Sequence, residues 1–194
     1  MSEIAGSSLA YSAMFVLLKN RGYSVYTIDK ILSTINSSLA VCLVKYTPLL
    51  GTKLFIGYFL FDTINIIKNY TRNDYRAVSF IIHHVVSVAG ASYSLHYELI
   101  EAARDVSKVE FTVPISNILM LLHKNGIKNN KTKLLEVFFI FIFGYFRIYH
   151  WWCTIYKYYK KDYSNHFLVT MYCLGALNIV WFLKFITLFK KSIC

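Results

Sequence analysis

Five ionisable side chains in this sequence sit where chemistry or unusual packing is required to keep them. Asp62, His83, His84, Glu110 and Arg147 all fall inside apolar runs. An ionisable group in a hydrocarbon environment is costly, and it persists where it faces the interior of a helix bundle or a water-filled cavity. At a rise of 1.5 Å per residue, Asp62 lies about 9 Å from Lys68 and His83 about 10 Å from Arg76. A carboxylate and a histidine pair therefore share a depth on neighbouring segments. The carboxylate can orient one neutral imidazole and leave its other nitrogen for a proton or an acyl group. Adjacent histidines project about 100° apart around a helix, too far to chelate one metal together. The four cysteines show no Cys-x-x-Cys or Cys/His spacing, so no metal site is expected.

Ser79, His83, Ser87, Gly90 and Ser94 recur at helical spacing on one face, while Ile81, Val85 and Val88 point elsewhere. Small residues in membrane helices also serve close packing, but packing alone does not account for two adjacent histidines. With Tyr58 from the preceding run, Ser87, Gly90 and Ser94 are the expected lining of a lipid-binding cavity. Glu110 and Arg147 also match in depth, at about 18–20 Å from one side. That match predicts a structural ion pair, in which removing one partner strands a charge. Asn117 and Asn178 are expected to bond between helices.

The elements that must carry these residues are membrane helices. Hydrophobic residues make up 56% of the 194 residues and charged ones only 16%, where a soluble domain carries about 25% charged residues. That balance excludes a soluble enzyme, a disordered chain and a disulfide-stapled mini-domain. Two prolines and eight glycines leave too little turn chemistry for a barrel. Residues 77–97 and 163–183 are free of Lys, Arg, Asp and Glu and long enough to span. Residues 134–156 are interrupted only by Glu136 and Arg147. Residues 31–47 and 54–67 are short, with flanking lysines able to snorkel. Residues 101–122 complete a span kinked at Pro114. The fold expected is an all-α bundle of six transmembrane helices within residues 27–189. Residues 4–18 are left as a seventh span, an interfacial helix or a signal-like segment, and no clean cleavage site follows them.

The net charge of +11 comes from cations in the gaps between runs, not from a nucleic-acid surface. Of 19 such gap cations, 12 fall in 19–30, 68–76, 123–133 and 190–194. The positive-inside rule puts that side, and the short basic tail 190–194, in the cytoplasm.

The run Gly57-Tyr-Phe-Leu-Phe-Asp62, then His83-His84, then Glu110-Phe-Thr-Val-Pro114-Ile-Ser-Asn117, then Phe143-Gly-Tyr-Phe-Arg147, resembles the TLC domain family. That family includes ceramide synthases, translocating-chain-associated membrane proteins and several short lipid-related proteins. The Glu-x-Thr-x-Pro-x-x-Asn and Arg elements look more like the short branch outside the ceramide synthases. Ceramide synthases carry an Asp-x-x-Asp pair after the histidines, and here Phe111 and Pro114 stand at the corresponding place. The resemblance implies an endoplasmic-reticulum-type membrane, of this cell or of a host, and work on lipids. With the Asp-x-x-Asp pair absent, it does not by itself imply acyl transfer.

Two functions follow as expectations. One is a bundle that binds or regulates membrane lipids of the sphingolipid, ceramide or fatty-acyl kind. The other is an N-acyltransferase with His83 or His84 as base or acyl acceptor, Asp62 orienting it, and acyl-CoA as co-substrate. Neither needs a cofactor. The expected partners are membrane lipids and a second copy in a homodimer, with no nucleic acid.

Overall fold

The computed structural model describes residues 2–69 and 75–193, and every element among them is helical. Arg72, the side chains of Tyr75 and Arg76, and those of Lys191 to Cys194 lie outside the described residues; they carry part of the sidedness count and most of the basic tail. The elements are α1 (Ser2–Asn20), α2 (Val25–Tyr46), α3 (Pro48–Asn69) and α4 (Tyr75–His96). Next comes a rod of α5 (Ile100–Ser107), a 3₁₀ turn (Lys108–Phe111) and α6 (Thr112–Lys124). A second composite rod joins α7 (Asn130–Phe143), a π-helical turn (Gly144–His150) and α8 (Trp151–Lys160), and α9 (Asn165–Ile193) ends the series.

The rods run up and down, so their connections alternate between two ends. At the first end, Gly22 and Gly126 adopt φ of +83° and +70°. Ser24 and Asn129 cap the helices that follow, accepting from the backbone N–H of Thr27 and Thr132. At the second end Thr47 alone separates α2 from α3, and Pro48 opens α3 where a missing N–H costs nothing. The last carbonyls of α2 are held partly by Thr47 itself.

Five helices are long and apolar enough to cross a membrane: Val25–Tyr46, Pro48–Asn69, Ala77–His96, Asn130–Lys160 and Asn165–Lys190. The chain is a multi-pass membrane protein. Leu9, Ile64, Val85, Phe141, Val169 and Val180 are exposed large apolar residues, as lipid-facing positions should be. The expected count of six spans is therefore not met among the described residues. The expected span over 101–122 is present as a rod but breaks into three pieces. Pro114 explains the break. Its ring crowds the carbonyl of Glu110, and the backbone tightens into a 3₁₀ turn over those residues.

The N-terminal stretch is α1, and it packs chiefly along α3. A Cβ on Gly57 would stand 2.6 Å from the Ile4 carbonyl oxygen and 2.6 Å from Ser7 Cβ. The two helices cross at a contact only glycine allows. Ser7 Oγ donates to the Leu54 carbonyl at 2.9 Å across the same crossing. Tyr11 then stacks among Tyr58 and Phe61, over Ile28 and Leu32 of α2.

Candidate functional site

The π-helical turn is what brings a guanidinium into the middle of the bundle. Its extra residue per turn re-aims the side chains of Gly144–His150, and such turns cluster at functional sites. Arg147 is 4% exposed, and Glu110, aimed inward by the 3₁₀ turn, is 6% exposed. Arg147 Nη2 lies 3.5 Å from Glu110 Oε1. Both ions make further hydrogen bonds to neutral neighbours. Arg147 Nε donates to Thr112 Oγ1 at 2.7 Å and Nη1 to Asn178 Oδ1 at 3.2 Å. Ser37 Oγ donates to Glu110 Oε2 at 3.0 Å. Four rods thus meet on one charge pair. The guanidinium also lies over Phe143 and Trp181, with its carbon 5.5 and 6.0 Å from the ring centres.

The two histidines diverge, as their spacing requires. His84 turns toward α3. Its Nε2 lies 3.5 Å from Asp62 Oδ2 and its Nδ1 3.2 Å from Thr63 Oγ1. His83 turns toward α9 and lies edge-on to Trp181, with ring centres 5.1 Å apart. Its Nδ1 is buried with no hydrogen-bond partner. This alters the chemistry expected from Asp62. The imidazole next to that carboxylate is His84, and both of its nitrogens are engaged. The free nitrogen belongs to His83, whose ring centre is 5.6 Å from that of His84.

His83, Glu110, Arg147 and Asn178 form the inner, polar end of a cleft of about 750 Å³ of atom-free space, part of it open to the outside. From mid-depth the cleft runs toward the second end, past Ser87, Gly90 and Ser94. Thr170 and Leu174 of α9 and Ala103 of α5 also line it. Ser87, Gly90 and Ser94 thus line it as a group, and Gly90 faces Thr170 Oγ1, which a Cβ would meet at 3.2 Å. Tyr58 does not line it. That ring is 3% exposed and packs against Tyr11 on the α1 side of α3. Asp62 and His84 are also behind the cleft rather than in it.

Behind the histidines, the first-end half carries a second polar group. Asn65 Nδ2 donates to Asp29 Oδ1 at 2.6 Å, and Asn69 in turn donates to Asn65. Asn117 Nδ2 donates to Thr34 Oγ1 at 3.0 Å, joining α6 to α2. His123 Nε2 reaches Glu136 Oε1 at 2.7 Å, a pair that the isolated position of Glu136 in its run does not signal.

At the second end a charged cluster ties α5 to α8. Lys157 Nζ lies 2.6 Å from Glu101 Oε1 and 2.7 Å from Asp105 Oδ2. Lys161 reaches Glu101 and Tyr158 Oη donates to Asp105. Hydrogen bonds from Lys157 and Lys161 hold the Glu101 carboxyl below the usual range. Burial alone would raise Asp105, but hydrogen bonds from Lys108, Lys157 and Tyr158 outweigh it and hold that carboxyl at about 2. Among the described residues no group of three or more His, Cys, Asp or Glu is placed to hold a metal ion.

The arrangement is that of a cleft apolar along its length and polar at its buried end. Its shape and polarity would suit a molecule with a long apolar body and one polar group. Compared with known families, residues 6–187 match the TLC domain, a stretch that includes most of α1. No curated protein and no solved structure matches the chain.

Proposed function

Because the chain belongs to the TLC domain family, a membrane family linked to lipid metabolism, we propose that it binds a long-chain lipid of the ceramide or fatty-acyl kind in the cleft. The lipid's polar group would stand against His83 and the Arg147–Glu110 pair, with its chain running past Ser87, Gly90 and Ser94. The observation that carries this reading is the polar inner end of an otherwise apolar cleft. Burying an oxygen or nitrogen there costs little only if it finds a hydrogen-bond partner, and His83 Nδ1 is such a partner. In this reading the protein senses or buffers lipid in an endoplasmic-reticulum-type membrane, with its C-terminus in the cytoplasm.

One observation favours a second reading, N-acyl transfer. His83 Nδ1 could accept the proton of a long-chain amine as its nitrogen attacks an acyl-CoA thioester. The amide bond forms, the C–S bond breaks, and the CoA thiolate leaves and takes up a proton. Two features weigh against it. Phe111 and Pro114 replace the carboxylates of the ceramide synthases. The cleft also runs toward the second end, away from the side proposed to meet cytoplasmic acyl-CoA.

The test is native mass spectrometry and lipidomics of purified protein, beside an amide-formation assay with acyl-CoA and sphingoid base. Co-purifying long-chain lipid, reduced at least about tenfold in a Ser87→Leu/Ser94→Leu form and without amide product, supports the binding reading. Amide product above a boiled control that His83→Ala abolishes replaces it with the enzyme reading. Absence of both overturns the two together.

A further inference from the structure

A second groove lies beside the cleft, on the α1 side of α2 and α3. α1 follows α3 closely at Gly57 but packs much less along α2. The wedge left between α1 and α2 holds about 570 Å³ of atom-free space. Its lining is almost wholly apolar, from Ala10 and Met14 of α1, Ile35, Leu39 and Leu43 of α2, and Leu54 of α3. The polar side chains in it are Ser7, Tyr11 and Asn36, and Asn36 is 2% exposed. Its Oδ1 accepts from the Tyr11 hydroxyl at 3.2 Å, while its Nδ2 has no acceptor within the protein.

A buried amide donor without an acceptor costs about 1–3 kcal/mol, so this position asks for a ligand oxygen. Ser7 and Tyr11 give their one hydroxyl proton each to the Leu54 carbonyl and to Asn36, so Asn36 Nδ2 is the side-chain donor left in this lining to hold a ligand oxygen. Depth narrows the ligand further. Asn36 is ten residues from Tyr46, the end of α2, which puts it about 15 Å below that end. A phosphate headgroup cannot follow an oxygen to that depth without losing its hydration. An uncharged lipid with a small polar head can.

We propose that the α1–α2–α3 groove binds one uncharged membrane lipid, whose hydroxyl or carbonyl oxygen accepts a hydrogen bond from Asn36 Nδ2. Ala40 and Phe55 line both this groove and the cleft and form the wall between them. The groove is a separate site and does not depend on what the cleft holds.

The experiment uses the full chain in nanodiscs with three diazirine-bearing lipids: a sterol, a diacylglycerol and a phosphatidylcholine. Crosslinks are mapped by mass spectrometry. The sterol or the diacylglycerol should label residues 4–14 and 35–43 at least about tenfold above phosphatidylcholine, and labelling by the sterol, which has no carbonyl, identifies the oxygen as a hydroxyl. Asn36→Leu should lower that labelling about tenfold, the worth of one buried hydrogen bond. Ala10→Phe, which fills the groove and leaves the donor intact, should abolish it, and it decides the matter if Asn36→Leu does not fold. Equal labelling by phosphatidylcholine, no labelling by any of the three, or labelling indifferent to both substitutions overturns the proposal.

Discussion

Two ion clusters in this molecule use the same functional groups in opposite surroundings. At mid-depth, Glu110 and Arg147 are each under 10% exposed, and every further contact they make is with a neutral group. At the second end, Glu101, Lys157 and Lys161 have side chains 52, 37 and 46% exposed and share charges among several partners. The buried pair is longer, at 3.5 Å against 2.6 Å, yet breaking it should cost more. Coulomb attraction grows and solvent rescue vanishes as water is excluded. Distance alone is therefore a poor guide to which contact holds the bundle together.

The largest expected effect is from breaking the buried pair. Arg147→Met leaves Glu110 as an uncompensated charge and should cost about 3–5 kcal/mol. Glu110→Gln should cost about as much by stranding the guanidinium. The double substitution should cost less than the sum of the two, because no charge is left behind. Thermal unfolding in nanodiscs read as a double-mutant cycle checks this, and additive losses would show that the two act independently.

Next come the neutral groups around it. Thr112→Val and Asn178→Leu each remove an acceptor from Arg147. A hydrogen bond to a charged group is worth about 1.5–3 kcal/mol. Each should lower stability by that order in the same assay. A loss below about 0.5 kcal/mol for both would mean that the cleft end is hydrated and that burial does not govern this pair.

Glu110 and Arg147 can be paired from the sequence because both sit alone in long apolar runs, and counting residues gives a depth. The same count matches Asp62 to the histidines but not to one of them. Neighbouring residues on a helix differ by about 100°, and the rotation of α4 against α3 is set by packing that no local pattern encodes. Tyr58 falls outside the cleft for a related reason. It follows Gly57 in the motif, yet Gly57 is where α1 crosses, so Tyr58 belongs to the α1 side of α3. The π-helical turn leaves no mark in Gly144–His150 beyond an arginine among aromatics. The tie from Asp105 to α8 is silent in the sequence because its partners there are 52 and 53 residues away, at Lys157 and Tyr158. Surface charges carry no depth by which to match them. The five apolar spans are legible for the opposite reason: about 20 residues almost without charge is what crossing a bilayer demands, and a helix at a soluble surface needs a charged face instead.

A smaller effect is expected at the second end. Lys157→Met removes the cation shared by Glu101 and Asp105 and should cost no more than about 1 kcal/mol at low salt. Raising the salt from about 0.05 to about 0.5 M should shrink the difference from wild type, since exposed charges are screened. The Arg147→Met loss should not respond to salt. If both respond alike, the contrast between the two clusters fails.

The smallest effect is a pH response, and its sign follows from Asp105. This carboxyl sits outside the five apolar spans and is held at about 2 instead of 3.8 by its donors. A carboxyl lowered in the folded state contributes stability above its unfolded value, and that contribution fades as pH falls through the folded value. Between pH 5 and 8, α5 should therefore keep its contact with α8 unchanged. From about pH 4 down to about 2 the contact should loosen, because protonated Asp105 no longer holds Lys157. Hydrogen exchange of residues 100–107, measured across that range, should show protection lost only in the acid limb. Asp105→Asn should remove the acid limb and show at neutral pH the exchange that the native chain reaches near pH 2. Solvent reaches this cluster, so the change should stay below that of Lys157→Met, which disconnects two carboxylates at once. Loss of α5 protection already at pH 6 would assign the contact to a group other than Asp105, and would move the response toward the buried half of the molecule.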